Sequence, residues 1–255
     1  MLKKIVWGMV FGLLFGSGAW AQEAVVEFEG RYWMTDLSAV AKVTKEGRGT
    51  DVDFKSDLRL DDKSFPYGRF TVFFNPTNRL TFIYTPISYS ADTILKRDVQ
   101  FGGQTYSVNT RVIGDLKVQY LQLGWACQFI NLEGGKIKLG TLVGIKGAWG
   151  DVSLAAPDQV PPIKESRSFA AALPTLGVAL DVNPAPFLNF FAEVSGLPAG
   201  QYGYMWEAEA GVRVIPFKNF TISGGYRLFD IEARDEPDFA KIKLSGPFVG
   251  LSLRF

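Results

Sequence analysis

An alternation of period two recurs along almost the whole of this sequence and limits what it can fold into. In residues 206–214 one set is Trp206, Ala208, Ala210, Val212 and Val214; the other is Glu207, Glu209, Gly211 and Arg213. Successive strand side chains point to opposite faces of a sheet, whereas a helical period would mix the two sets. The pattern returns many times. Val26, Phe28, Gly30, Tyr32 and Met34 alternate with Glu27, Glu29, Arg31 and Trp33. Ile137, Leu139, Thr141, Val143 and Ile145 alternate with Lys136, Lys138, Gly140, Gly144 and Lys146. Leu176, Val178, Leu180 and Val182 oppose Thr175, Gly177, Ala179 and Asp181. Leu188, Phe190, Ala192 and Val194 oppose Asn189, Phe191, Glu193 and Ser195. Phe220, Ile222, Gly224, Tyr226 and Leu228 oppose Thr221, Ser223, Gly225 and Arg227. Val249, Leu251, Leu253 and Phe255 oppose Gly250, Ser252 and Arg254. The chain is read as all-β, each strand having one apolar face and one charged, glycine-rich face.

Two irregularities stand out. The apolar phase shifts by one near Tyr120-Leu121 and again near Gly246-Pro247. Either a β-bulge lies there, since one extra residue flips the following side chains, or the strand leaves the bilayer there and the pattern relaxes.

Connections alternate in length. Asn-, Pro- and Gly-rich turns fall at 75–78, 131–135, 183–186 and 216–219, with ordinary turn chemistry. Longer polar connections are expected at 42–66, 91–110, 152–167, 197–203 and 234–240. The segments between them give ten antiparallel strands: 24–41, 67–75, 79–90, 111–130, 136–151, 168–183, 187–196, 203–215, 219–233 and 241–255. Eight strands is the alternative. Both ends of the series fall on the short-turn side.

The first residues read as a secretory leader. Lys3 and Lys4 precede an apolar run at 5–15, and Ala19-Trp20-Ala21 is a small-x-small cleavage site. The run is short of the ~20 residues of a spanning helix. The expected division is a signal peptide at 1–21, cleaved after Ala21, and one β domain at 22–255. The residue directly after the cleavage site is Gln22 and not cysteine, which excludes the lipoprotein variant. Without Lys3 and Lys4 there are 27 − 2 = 25 basic residues against 26 acidic ones, so there is no footprint for nucleic acid. Cys127 is the single cysteine, so the fold holds without an internal disulfide. No later apolar segment can form a membrane helix. A membrane-spanning form must then be a closed barrel, because open sheet edges are not tolerated in lipid.

A secreted β-sandwich also alternates. Three features favour the barrel. Small residues interleave with the charges, which suits a confined lumen. Aromatics gather near strand ends: Tyr32, Trp33, Tyr84, Tyr89, Trp125, Trp149, Trp206, Tyr226 and Phe255, as in the girdles of membrane barrels. The sequence also closes on an alternating strand. In these respects it resembles the bacterial outer-membrane β-barrel superfamily, in the manner of small OmpA/OmpW-like barrels. The resemblance is one of architecture over essentially the whole mature chain. It implies a transmembrane antiparallel up-and-down β-barrel in the outer membrane, with outer-membrane lipids as surroundings. It also implies that Val249, Leu251, Leu253 and Phe255 form the C-terminal signal to the barrel assembly machinery.

The available chemistry is sparse. There is no histidine, the usual base that activates a serine or a water. Outer-membrane deacylases, phospholipases, palmitoyl transferases and omptin-like proteases all depend on one, so none of their sites carries over. Carboxylate pairs such as Glu27/Glu29 and Glu207/Glu209 read as inward charges awaiting partners. Asp57, Asp61 and Asp62 match no calcium-loop spacing and read as a solvated loop. Asp51, Asp53, Lys55, Asp57 and Arg59 alternate with Val52, Phe54, Ser56 and Leu58, which suggests the sheet continues there. No cofactor or metal is expected, and the sequence does not reveal a ligand for the extracellular loops.

An eight-stranded barrel is just filled by its side chains, and ten strands leave slightly more room. Unpaired desolvated ions are costly, and both signs are present on the inner face. The lumen is expected to be plugged by a paired network of Glu27, Glu29, Arg31, Lys136, Lys138, Lys146, Glu193, Glu207, Glu209, Arg213, Arg227 and Arg254. The function expected is non-enzymatic, either structural or presenting surface loops. The alternative is a narrow pore for small solutes.

Overall fold

In the computed structural model, the described residues are 25–42, 44 and 50–255. The leader read at 1–21 lies outside them. The described strands are β1 (Val25–Lys42), β2 (Val52–Asp53), β3 (Lys63–Asn75), β4 (Asn78–Ile94), β5 (Val99–Phe101), β6 (Gln104–Tyr106), β7 (Arg111–Leu132), β8 (Ile137–Ala156), β9 (Ile163–Ala185), β10 (Leu188–Pro198), β11 (Gly203–Phe217), β12 (Phe220–Asp235) and β13 (Asp238–Arg254). Among the described residues ten of these form an antiparallel up-and-down sheet, and β1 pairs with both β3 and β13, so the sheet closes. Ten strands therefore stands and eight is discarded. Closure leaves no unpaired edge, the condition for a sheet in lipid.

The barrel is inside out relative to a soluble fold. Outward-facing Phe28, Val143, Leu176 and Leu251 are 55–65% exposed, while inward-facing Glu209 and Arg227 are 4% and 1%. A continuous apolar exterior of this kind belongs in a membrane. Leu251→Arg, in the middle of the outward row, should cost ~2–4 kcal/mol of folding stability in bilayers. Urea titration in vesicles measures it; a cost near zero would place Leu251 in water.

The two phase shifts are not bulges. The ladder runs unbroken through Tyr120, which pairs with Thr85 and Ala148, and β13 stays in register with β12 across Gly246 and Pro247. What changes is the surroundings. Beyond these points the outward positions are polar: Asp115, Lys117, Asp151, Lys241 and Lys243. The inward ones turn apolar: Val112, Leu116, Leu154 and Leu244 are buried. The strands have left the bilayer and become the wall of an ordinary water-soluble core. Register shifts occur elsewhere, all near the short turns, between Phe73/Asn75, Gln128/Ile130, Leu188/Phe190 and Val214/Phe217.

This extension corrects several expected loops. Spanning a bilayer takes ~9–11 residues of tilted strand, yet β7 has 22 residues and β9 has 23. The segments 152–167 and 234–240 are mostly strand, with the chain turning only between Ala156 and Ile163 and between Asp235 and Asp238. The first connection shortens to the start of β3 at Lys63, and the second contains the β5–β6 hairpin. The alternation at 51–59 does not continue the sheet. Only Val52–Asp53 pairs, with Val40 and Ala41. The chain then turns on Asp53, whose Oδ1 accepts from the N–H of Lys55 and of Ser56, both at 2.9 Å. The turn places Val52, Phe54, Leu58 and Leu60 in the core.

Candidate functional site in the charged lumen

Three linked clusters fill the middle of the barrel. In the first, Glu207 of β11 is gripped from three strands. Lys146 Nζ lies 2.5 Å from its Oε2, Arg227 Nη2 2.7 Å from its Oε1, and Tyr120 donates its O–H at 2.7 Å. Lys146 also donates to Ser195 Oγ at 2.8 Å. In the second, Arg31 of β1 reaches Glu29 at 2.7 Å and, across the lumen, Glu209 at 2.6 Å. Ser223 donates to Glu29 at 2.6 Å. In the third, Arg79 joins Asp181 at 3.0 Å and Glu193 at 2.8 Å, and Arg213 meets Asp181 at 3.3 Å. Arg69 bridges the last two clusters, 3.4 Å from Glu209 and 3.5 Å from Glu193.

Aromatic rings wall in the guanidinium groups. Arg227 lies over Trp33 and Tyr67, at 4.8 and 4.7 Å from their centroids. Arg31 lies 4.4 Å over Phe248, and Arg213 3.8 Å over Phe191. Arginine suits this because its planar, weakly hydrated cation both stacks and forks. Inward glycines make the room. A Cβ on Gly250 would meet Arg31 Cγ at 2.7 Å, and one on Gly211 would meet Phe191 Cε1 at 3.0 Å. The small residues between the charges are thus the space into which neighbouring strands project.

The expected network residues are placed as follows. Glu29, Arg31, Lys146, Glu193, Glu207, Glu209, Arg213 and Arg227 converge in mid-lumen. Glu27 and Arg254 pair at 2.8 Å at the short-turn rim. Lys138 sits at that mouth, with Nζ 3.0 Å from the Pro76 carbonyl. Lys136 is exposed in the turn after β7 and does not enter the lumen. Val249, Leu251, Leu253 and Phe255 all lie on the outer surface; Phe255 exchanges backbone hydrogen bonds with Val26.

Sequence reasoning missed Arg69, Arg79, Tyr67 and Tyr120. Around Arg69 and Arg79 both faces carry aromatics (Phe70, Phe73, Phe74, Phe82), which hides the alternation. Asp181 stood on the correct face of its strand but was not singled out. Trp33 and Tyr89 are not girdle residues. They face inward at 1% and 0% exposure, while Tyr84, Trp149, Trp206 and Tyr226 face outward.

Toward the long-loop end the lumen is filled by apolar side chains. Trp33, Leu37, Phe65, Tyr89, Leu116, Met205, Phe229 and Leu244 form one buried cluster. Residues 52–60 and the β5–β6 hairpin cover it. Tyr106 donates to the Leu154 carbonyl at 3.0 Å. Arg97 ties down the turn through Asp57, at 2.5 Å. Burial pushes the Asp57 carboxyl up, but the Arg97 contact and a backbone N–H outweigh it and hold it below the usual carboxylate range. Lys55 is pushed up to about 12 by its hydrogen bonds to Asp36 and Asp62. Asp57 and Asp62 are thus engaged with cations. Among the described residues no His/Cys/Asp/Glu group has metal-binding geometry. Cys127 is a free thiol on β7.

No family model matches the sequence, and no curated protein matches it. Solved structures match the fold. The outer membrane protease OmpT of Escherichia coli superposes with a TM-score of 0.61 at 7% identity, over 94% of this chain and 99% of that one. OprG of Pseudomonas aeruginosa gives 0.43 at 11% identity, over 91% and 95%. Ail of Yersinia pestis, solved with a heparin analogue, gives 0.39 at 14% identity, over 91% and 99%. The closed antiparallel barrel, together with the OmpT superposition, gives the fold as that of a bacterial outer-membrane β-barrel.

Proposed function

We propose that this protein is a sealed outer-membrane barrel, non-enzymatic, whose short turns face the periplasm and whose long-loop end is a folded cap presented outside the cell. The observation that carries this reading is the filling of the lumen at two levels. At mid-height Arg227 and Arg31 are 1% and 3% exposed among their carboxylate and aromatic partners, and above them Trp33, Leu37 and Leu244 are 1% exposed or less. A water-filled channel would instead line itself with solvated polar groups.

The ions alone are weak grounds for stability, since desolvation can exceed the attraction between them. Their value here is as a specification of closure: each cation recruits carboxylates from distant strands, Arg31 to Glu209 for instance, and so fixes which walls meet. Likeness to a protease at 7% identity transfers no activity. Every mid-lumen carboxylate among the described residues is engaged with a cation, and the hydroxyls nearest a base, Ser195 beside Lys146 and Ser223 beside Glu29, meet groups already committed to ion pairs. The outward row of Val249, Leu251, Leu253 and Phe255 supports recognition by the barrel assembly machinery.

Proteoliposomes carrying the purified protein should swell no faster in arabinose than protein-free vesicles. Rapid swelling would overturn the sealed reading in favour of a narrow pore.

A further inference from the structure

Below the ion network the lumen widens at the short-turn end into a cavity of about 340 Å3. That is within the ~300–1,000 Å3 range of small-molecule sites. Its wall carries the cations Arg69, Arg79, Lys138, Arg213 and Arg254 against the carboxylates Glu27 and Asp181, 5 − 2 = +3. Arg69, Arg79, Arg213 and Asp181 also belong to the mid-lumen clusters, where Glu193 and Glu209 offset part of this charge. Counted once over mouth and mid-lumen together, eight cations (Arg31, Arg69, Arg79, Lys138, Lys146, Arg213, Arg227, Arg254) face six anions (Glu27, Glu29, Asp181, Glu193, Glu207, Glu209), 8 − 6 = +2, a surplus that remains positive.

Arg31, Arg69 and Arg227 each keep a buried guanidinium nitrogen without a hydrogen-bond partner among the described residues, and of the three Arg69 lines the cavity. Arg69 is 7% exposed, and its Nε has no hydrogen-bond partner among the described residues. Its two carboxylate contacts, 3.4 and 3.5 Å, are longer than the ~2.7–2.9 Å of a charge-assisted hydrogen bond. Arginine cannot shed its proton, and a low-dielectric recess strengthens attraction for any anion that enters. Forked guanidinium donors also match the geometry of phosphate and carboxylate oxygens.

We propose that this vestibule binds a small multivalent oxyanion, bearing phosphate or carboxylate groups, that enters from the periplasmic side. The assignment does not depend on whether the lumen above conducts.

Isothermal titration of the full-length protein in non-ionic detergent tests it, with pyrophosphate and citrate as probes and trehalose as the neutral control. One or both anions should bind saturably, and which one does identifies the group recognised. Trehalose should give no heat. Lys138→Gln should weaken binding about tenfold and Glu27→Gln should tighten it by a similar factor, as expected for one charge at a partly desolvated site. Both residues lie at the rim, and heat-modifiable gel migration verifies that each variant is folded. The proposal is overturned if neither anion binds saturably, or if folded Lys138→Gln and Glu27→Gln leave the affinity unchanged or shift it in the same direction.

Discussion

Glu207→Ala is expected to destabilise the barrel by about 3–5 kcal/mol, the cost of stripping one partner from a buried ion pair. Glu207 is 6% exposed and is the anion for both Lys146 and Arg227, which are 2% and 1% exposed. Its loss leaves two desolvated cations facing each other, and the Tyr120 hydroxyl without its acceptor. The measurement is the urea midpoint for conversion of the fast-migrating folded band to the slow unfolded one. A triple variant sharpens the reading. Glu207→Ala combined with Lys146→Met and Arg227→Met removes the stranded charges and should recover much of the loss, because apolar side chains of similar volume can replace a buried ionic cluster. If Glu207→Ala alone unfolds at the wild-type midpoint, the cluster is solvated and the sealed lumen is wrong at its centre.

Trp33→Ala should cost about 3–5 kcal/mol by a different route, loss of burial plus a cavity that the stiff strands cannot close. Trp33 is 1% exposed at the junction of the two fillings. Below it the ring covers Arg227. Its indole N–H donates to the Gly246 carbonyl at 3.1 Å. Gly246 itself has no space for a side chain, since a Cβ there would lie 1.8 Å from the Met34 carbonyl oxygen. Strand β13 is therefore held against β1 at this height by backbone approach and one indole. The same urea titration reads the effect, with Trp149→Ala as the outward-facing control. Equal losses at the two positions would mean that Trp33 does not fill the lumen.

The strand count, the closure and the orientation of most strands were legible because burial alternates with period two in a barrel wall whichever side is apolar. Glu27, Glu29, Arg31, Glu207, Glu209, Arg213 and Arg227 could be assigned to the inner face from that period alone. The length of the strands was not legible. Above the bilayer the solvent is water on the outside and protein on the inside, so the apolar face swaps sides while the backbone continues unchanged. At Tyr120 and Gly246 the sequence alone leaves that swap open between a bulge and an exit from the bilayer, and the unbroken ladders decide for the exit. Trp33 and Tyr89 were misplaced for the same reason: an aromatic near a bilayer boundary fits a girdle or a core equally well until the height of the filling is known. The partners Arg69 and Arg79 were hidden because β3 and β4 carry aromatics on both faces. Which ion meets which is set by contacts across the lumen, such as Arg31 with Glu209, 178 residues apart, and no local pattern carries that information.

Single-channel recording in planar bilayers tests the sealed barrel most directly. Purified protein, first shown to be folded by its fast migration before boiling, should insert without producing discrete conductance steps at either polarity. Reproducible steps from the wild-type protein, abolished or resized by Arg227→Ala, would show that ions pass through the lumen and would contradict the account.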